Sequence, residues 1–134
     1  VDYLQTRVSQ QVNFYFKAPQ HPVFVEINPA LHSWTIENLV KNAIDAMKGK
    51  GSLNIVISEL EDMVKISITD TGKGIPKNQF SKVFEPGFTT KKRGWGLGLS
   101  LTKRIVQEYH KGKIKVAHSE IGKGTTMQIS YKTA

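Results

Sequence analysis

The sequence predicts an α+β fold, a two-layer α/β sandwich. Three observations lead there: stretches that alternate apolar and polar residues, two longer stretches with apolar residues at helical spacing, and short connections that make strands hairpin neighbours. Residues 12–16 alternate through Val12, Phe14 and Phe16, which reads as a strand. His21-Pro22 makes a turn, and residues 23–27 read as a second strand. Asn28-Pro29 then has the form of a helix start, with Asn as the N-cap and Pro in the first turn. The helix is expected over residues 30–47, with Leu31, Trp34, Leu39, Ala43 and Ala46 or Met47 as its apolar stripe. Lys48-Gly49-Lys50-Gly51 ends it through a glycine cap. Residues 53–60 and 63–69 alternate and are joined by Glu61-Asp62, a hairpin. Residues 70–76 form a turn, residues 77–83 a short helix, and residues 84–95 a loop without periodicity. A second long helix is expected over residues 97–109, apolar at Leu97, Leu101, Ile105 and Tyr109. Strands at residues 114–118 and 125–131 close the sheet. Hairpin-linked strands with helices on one face point to this sandwich rather than to a doubly wound sheet.

The chain has 134 residues, a length that suits one domain, and a hydrophobic content of 39%, enough for a packed core. It contains no cysteine, which excludes a disulfide framework and thiolate metal sites and fits a reducing compartment. No apolar run approaches the roughly 20 residues that span a bilayer. The net charge of +8 admits an anionic ligand, lipid or partner. The lysines are scattered, with one denser group at Lys91, Lys92 and Arg93 beside a glycine loop. No basic stripe interleaved with aromatics is evident, so nucleic acid is not expected as a partner.

Four islands carry the chemistry: Glu37 to Ala43 (ENLVKNA), Asp70 to Gly74 (DTGKG), Gly94 to Leu99 (GWGLGL) and Gly122 to Thr126 (GKGTT). Asn38 and Asn42 lie four apart and share one helix face. Amide oxygens can ligate a hard cation, and amide protons can meet phosphate oxygens; surface amides or a local cap are the plain alternative. Mg²⁺ keeps several waters, so one or two protein oxygens suffice when phosphates supply the rest. Lys41 faces phosphate or solvent. Asp70 ends a strand and enters a glycine turn, where it either forms an Asx turn or accepts a hydrogen bond from the exocyclic amine of adenine. Guanine offers an acceptor at that position, so an acid selects ATP over GTP. Gly74 lets backbone approach the base. Gly94, Gly96 and Gly98 open a helix, where free N–H groups and the helix dipole attract phosphate. Lys91 stands ready to assist, with Thr89 and Thr90. The spacing excludes a Walker loop and argues against a dinucleotide fold. Trp95 caps the ligand or docks on a partner domain.

All four islands in this order resemble the Bergerat ATP-binding fold of gyrase-type ATPases, Hsp90-type chaperones, mismatch-repair ATPases and histidine kinases. The chain most resembles the catalytic and ATP-binding domain of a sensor histidine kinase, over residues 12–131. ENLVKNAIDAM is similar to the N box, DTGKGIP to the G1 box, FEPGFTTK to the F box, GWGLGLSL to the G2 box and GKGTT to the final glycine box. The resemblance implies a mixed, mostly antiparallel sheet of about five strands and the substrate ATP with Mg²⁺. It implies that Asn42 holds Mg²⁺ and Asn38 sits near the phosphates. Asp70 binds adenine N6, with Gly72, Gly74 and Ile75 beside the base. Phe84 and Phe88 anchor the ATP lid. Gly94, Gly96 and Gly98 wrap the triphosphate with Leu97 and Leu99, and Thr125 or Thr126 approaches the adenine. Three positions depart from the pattern. Asp45 stands where many such kinases place Lys or Arg, Gly87 replaces a bulky residue, and Trp95 replaces Ser or Thr.

Gyrase-type ATPases carry a general-base Glu where Asn38 falls. An amide cannot take a proton from water, so transfer to an acceptor is favoured over hydrolysis. Glu37 lies about 100° round the helix from that position. Histidine kinases phosphorylate a His followed by Glu or Asp, yet here His21 precedes Pro, His32 precedes Ser, His110 precedes Lys and His118 precedes Ser. These four read as a turn, a helix-surface, a loop and a strand residue. The acceptor is therefore expected on a separate dimerisation domain of the same protein. Residues 1–11 are read as a linker or helix from that hairpin, and residues 12–134 as the ATP-binding domain. The expected partners are that domain and a response regulator. The expected setting is a monomeric cytoplasmic domain of a homodimeric parent, membrane-anchored or not. The alternatives are a stand-alone serine kinase of the anti-sigma-factor type and a non-catalytic ATP-binding module.

Overall fold

The strand of strictest alternation lies at the centre. In the computed structural model, which describes residues 11–86 and 98–133, β3 (Met63–Asp70) buries Val64, Ile66, Ile68 and Asp70 and leaves the residues between them half-exposed. Around it lie β1 (Val12–Lys17), α1 (Pro29–Ala46), β2 (Gly51–Leu60), α2 (Gly98–Arg104), β4 (Lys113–Glu120) and β5 (Gly124–Lys132). The sheet has five strands in the order β1-β2-β3-β5-β4. β1 runs parallel to β2, with Val12 opposite Gly51, and the other three pairs are antiparallel. This is the mixed, mostly antiparallel sheet expected of an α+β sandwich. Leu39, Val40 and Ala43 of α1 and Val106 beyond α2 share one core with Leu53, Ile55, Ile66, Ile68, Ile114, Val116 and Ile129 of the sheet.

The sequence signals at the start of α1 act as expected. The Asn28 side chain accepts from the Leu31 amide at 3.1 Å, and Pro29 occupies the first turn; such a cap is worth about 1 kcal/mol. The buried face runs through Thr35, Leu39, Val40 and Ala43 rather than Trp34, which is 38% exposed. Thr35 is polar yet fully buried because its hydroxyl donates to the Leu31 carbonyl at 2.9 Å. The hairpin closes where expected, with Glu61 at φ 56 in its turn.

Three expectations need correction. Residues 22–28 form no strand. Val23, Val25 and Ile27 alternate inward, and Val25 and Ile27 pack on the core, but β1 already occupies the edge beside β2. The short helix at residues 77–83 is two 3-10 turns, Lys77–Gln79 and Lys82–Phe84. The second helix changes pitch: α2 gives way to a π-helical turn over Ile105–Tyr109. A π turn adds a residue per turn and rotates the side chains beyond it out of the α-helical stripe. Thr102, Ile105 and Val106 are buried, whereas Leu101 is 42% and Tyr109 65% exposed. No helix among the described residues is long and apolar enough to cross a membrane.

Two histidines read as ordinary surface or loop residues are structural. His110 is buried after the π turn, and its Nε2 accepts from the Asn28 amide at 3.0 Å. That bond places the ring proton on Nδ1, which is buried without a partner among the described residues. Tyr131 lies edge-on to His110 and to His32, ring centroids 5.9 Å apart in each case, and its hydroxyl is 3.4 Å from His32 Nδ1. Burial pushes the Tyr131 hydroxyl up to about 12. Burial lowers both histidines from 6.5, His32 also by repulsion from His110.

Depressed histidine pKa values mean that the unfolded chain binds more protons just below the ordinary value. Their contribution to stability is present above 6.5 and lost as pH falls through the lowered folded values. The denaturant midpoint should therefore drop as pH falls from about 7 to about 5, ahead of most carboxylate titration. His110→Phe, which orphans the Asn28 amide, should cost about 1–3 kcal/mol at neutral pH and flatten that dependence. A midpoint constant over this range, or a variant as stable as the parent, would contradict the histidine assignment.

Candidate functional site

Two backbone amides converge on the carboxylate that ends β3. The Asp70 Oδ1 atom accepts from the Gly72 amide at 2.8 Å and from the Thr125 amide at 3.2 Å. Both bonds fall on one oxygen, so Oδ2 keeps no partner among the described residues. The residue is 7% exposed, and desolvation raises its pKa from 3.8 against the opposing pull of the two amides. A buried carboxylate with one oxygen tied and one uncommitted is costly for the fold and useful as a ligand acceptor.

The turn after Asp70 is fastened on both sides. On one side, the Lys73 amide donates to the Ala46 carbonyl at 3.1 Å, and Gly72 packs so closely on Ala46 that an added Cβ would lie 2.7 Å from its carbonyl carbon. This brings Asp70 to the end of α1, the helix that carries Asn38, Asn42 and Asp45. On the other side, Gly74 sits at φ +81 against the Glu120 and Ile121 backbone, and the Gly122 amide donates to the Lys73 carbonyl at 2.9 Å. The missing side chain at Gly74 thus has a packing reason of its own.

Ser119 is the hub that the sequence did not reveal. Its hydroxyl oxygen accepts from the Ile75 amide at 2.7 Å, lies 2.7 Å from Thr125 Oγ1 and donates to the Gly124 carbonyl at 3.0 Å. It enters because β4 is irregular between Val116 and His118, which turns Ser119 towards Thr125. A serine at a strand end carries no signal of this role.

The structure brings Asp70, Gly72, Gly74, Ile75 and Thr125 together around the turn. It separates Thr126, whose hydroxyl pairs with Thr69 Oγ1 at 2.9 Å on the opposite face of the sheet. Asn38 and Asn42 are half-buried on α1, and Asp45 is exposed near its end. Asn38 Nδ2 donates to Thr102 Oγ1 at 2.8 Å, which joins α1 to α2 close to Gly98 and Leu99. Phe84 is buried, with Lys103 Nζ 5.6 Å from its ring centroid. Gly87, Phe88, Thr89, Thr90, Lys91, Gly94, Trp95, Gly96 and Leu97 lie outside the described residues. An open groove of about 540 Å³ between Val25, Ile27, Leu31 and Tyr109 contains none of the motif residues.

Known proteins resemble this chain in sequence and in fold. Residues 30–134 match the family described as histidine kinase-, DNA gyrase B-, and HSP90-like ATPase. The sensor histidine kinase ZraS of Escherichia coli strain K12 is 39% identical over 121 residues, which cover 90% of this chain and 26% of that protein. Sporulation kinase A of Bacillus subtilis strain 168 is 43% identical over 95 residues, 70% of this chain and 15% of that protein. The chain thus spans about a quarter or less of the length of these relatives. The catalytic domain of histidine kinase ThkA superposes with a TM-score of 0.83 at 28% identity, covering 98% of this chain and 84% of that one. ThkA in complex with response regulator protein TrrA superposes with a TM-score of 0.82 at 26% identity, covering 99% of this chain and 37% of that one. The chain belongs to the histidine kinase-, DNA gyrase B- and HSP90-like ATPases, and its fold is that of a histidine kinase catalytic domain.

Proposed function

We propose that this domain binds Mg–ATP and presents the γ-phosphate to a histidine on a separate dimerisation domain of a sensor histidine kinase, which passes it to a response regulator. The observation that carries the reading is the Asp70 carboxylate. Oδ1 is fixed by two backbone amides, and Oδ2 is left to accept from the exocyclic amine of adenine. Thr125, held against the same carboxylate, would border the base, and Gly98 and Leu99 would lie towards the phosphates. The relatives compared are named as kinases of the histidine or sporulation type, which gives the serine-kinase and binding-module alternatives no support.

Magnesium fits the donor set. Among the described residues no three His, Cys, Asp or Glu side chains converge on a metal. Amide oxygen from Asn42, phosphate oxygens and water would complete its shell, as a hard cation prefers. Bound there, it would neutralise charge on the triphosphate. The chain's own part is to orient the nucleotide between α1 and the turn after β3, and to offer no base to water. Asn38 is an amide, so transfer depends on positioning rather than proton abstraction.

Asp70→Asn tests the adenine contact cleanly. The amide oxygen can keep both backbone bonds while an NH₂ replaces Oδ2 and meets the adenine amine donor to donor. ATP affinity by calorimetry should fall by about 1–3 kcal/mol, with GTP penalised less because guanine offers an oxygen. The folding midpoint should hold or rise, since a buried charge is removed. Unchanged ATP affinity would remove Asp70 from the site.

Incubated with Mg²⁺ and γ-labelled ATP, this chain should gain no stable phosphohistidine. His32 and His110 are packed against Tyr131, and His21 Nε2 is paired with Glu59 at 2.9 Å. Acid-labile label on any of the four histidines would refute an acceptor in another domain.

A further inference from the structure

We propose that Thr102 is a positioning residue that fixes the rotation of the Asn38 amide, so that Asn38 offers its oxygen rather than its NH₂ to the site. The meaning of this for nucleotide rests on the Mg–ATP reading above; the geometry does not. Thr102 is fully buried at the heart of α2. Its hydroxyl lies 2.7 Å from the Gly98 carbonyl and 2.8 Å from Asn38 Nδ2. A carbonyl can only accept, so the single hydroxyl proton is spent on Gly98. The oxygen of Thr102 is then left as an acceptor, and the Asn38 amide must turn its NH₂ towards it. The order of donation runs one way, from Asn38 to Thr102 to Gly98. It resolves an ambiguity between amide O and N that shape alone leaves open.

The consequence falls on Asn38 Oδ1. It has no partner among the described residues and lies beside Gly98, where an added Cβ would stand 3.0 Å from it and 3.2 Å from Nδ2. Any side chain at position 98 would crowd this amide, so the glycine that opens α2 leaves it room. An amide oxygen suits a hydrated cation or an N–H donor and repels a phosphate oxygen. Thr102 therefore assigns Asn38 to the Mg²⁺ side of the nucleotide. It also ties α1 to the first turn of α2 through three groups, none of them in direct contact with the base.

The test compares the full chain with Thr102→Val, Thr102→Ala and Thr102→Ser. ATP is titrated calorimetrically with excess Mg²⁺ and separately with EDTA, and the Asn38 side-chain NH₂ is followed by ¹H–¹⁵N correlation. Thr102→Val should shift the Asn38 NH₂ signals and cut the Mg²⁺-dependent gain in ATP affinity about five- to tenfold. Affinity in EDTA should stay unchanged, and Thr102→Ser should behave as the parent. In an Asn38→Ala background Thr102→Val should have no further effect. Thr102→Ala, which removes the hydroxyl without placing a new methyl, must reproduce the result and serves alone if the valine variant does not fold. Unmoved Asn38 signals, or equal loss of affinity with Mg²⁺ and with EDTA, would overturn the proposal. If the parent chain binds no ATP in either condition, the Mg–ATP reading fails while the Asn38 signals still decide whether Thr102 holds the amide.

Discussion

The double acceptance by Asp70 Oδ1 is the interaction on which the rest of the site depends. One oxygen at the end of the central strand receives the amide of the adjoining turn and the amide of the neighbouring strand β5. Removing it would unfasten the turn from the strand pair. The turn bridges the end of α1 and the irregular end of β4, and each of those contacts assumes that the chain leaves β3 in this direction. Hydrogen bonds to a charged acceptor are worth about 1.5–3 kcal/mol each, which is of the order of the desolvation they offset. Desolvation raises the pKa of this carboxyl group from 3.8 against the opposing pull of the two amides. Neutral residues would satisfy the fold at lower cost; what an acid adds at this position is a second oxygen with no partner among the described residues.

α1 is held at both ends by different chemistry. Its start is pinned by a ring nitrogen, His110 to the Asn28 amide, and its end by the Lys73 amide on the Ala46 carbonyl. Between them Asn38 reaches across to Thr102. The helix is therefore fixed at three points: to His110 after the π turn, to α2 and to the turn after β3. This is the rigidity that a nucleotide site built from distant segments requires, because none of its segments folds around the ligand alone.

The motifs were legible in the sequence because each pairs an unusual residue with an unusual place, such as Asn at i and i+4 on a helix or an acid entering a glycine turn. The hairpin and the Asn28-Pro29 helix start were legible because turn and cap chemistry is local. What was not legible depended on tertiary partners. Alternation at Val23, Val25 and Ile27 reports which side chains turn inward, and it is silent on whether the backbone finds a strand to pair with. The stripe of Leu101 and Tyr109 assumed a constant 3.6-residue period, which the π turn breaks. Thr35, Thr102 and Ser119 are small polar residues whose importance lies in a carbonyl or amide several residues or strands away. His32 and His110 looked ordinary because nothing in their neighbours announces Tyr131, 99 residues beyond the first.

The edge strand β1 has a consequence in the order of folding. β2 and β3 meet through a two-residue turn and β4 and β5 through a three-residue connection, so both pairs can close early and locally. β1 can reach β2 only after the intervening chain has laid α1 across the sheet, since Val12 meets Gly51 from 39 positions away. Its parallel ladder of six pairs is the pairing with the largest loop-closure entropy on that side of the sheet. Joining the two hairpins through β3 and β5 spans a longer separation still, from 57 positions between Thr69 and Thr126 to 69 between Met63 and Lys132, so the turn around Asp70 is also completed by a non-local pairing. A pull or push delivered through the preceding residues would meet the sheet at this edge, where Phe14 is joined to Asp70 through the single intervening residue Leu53.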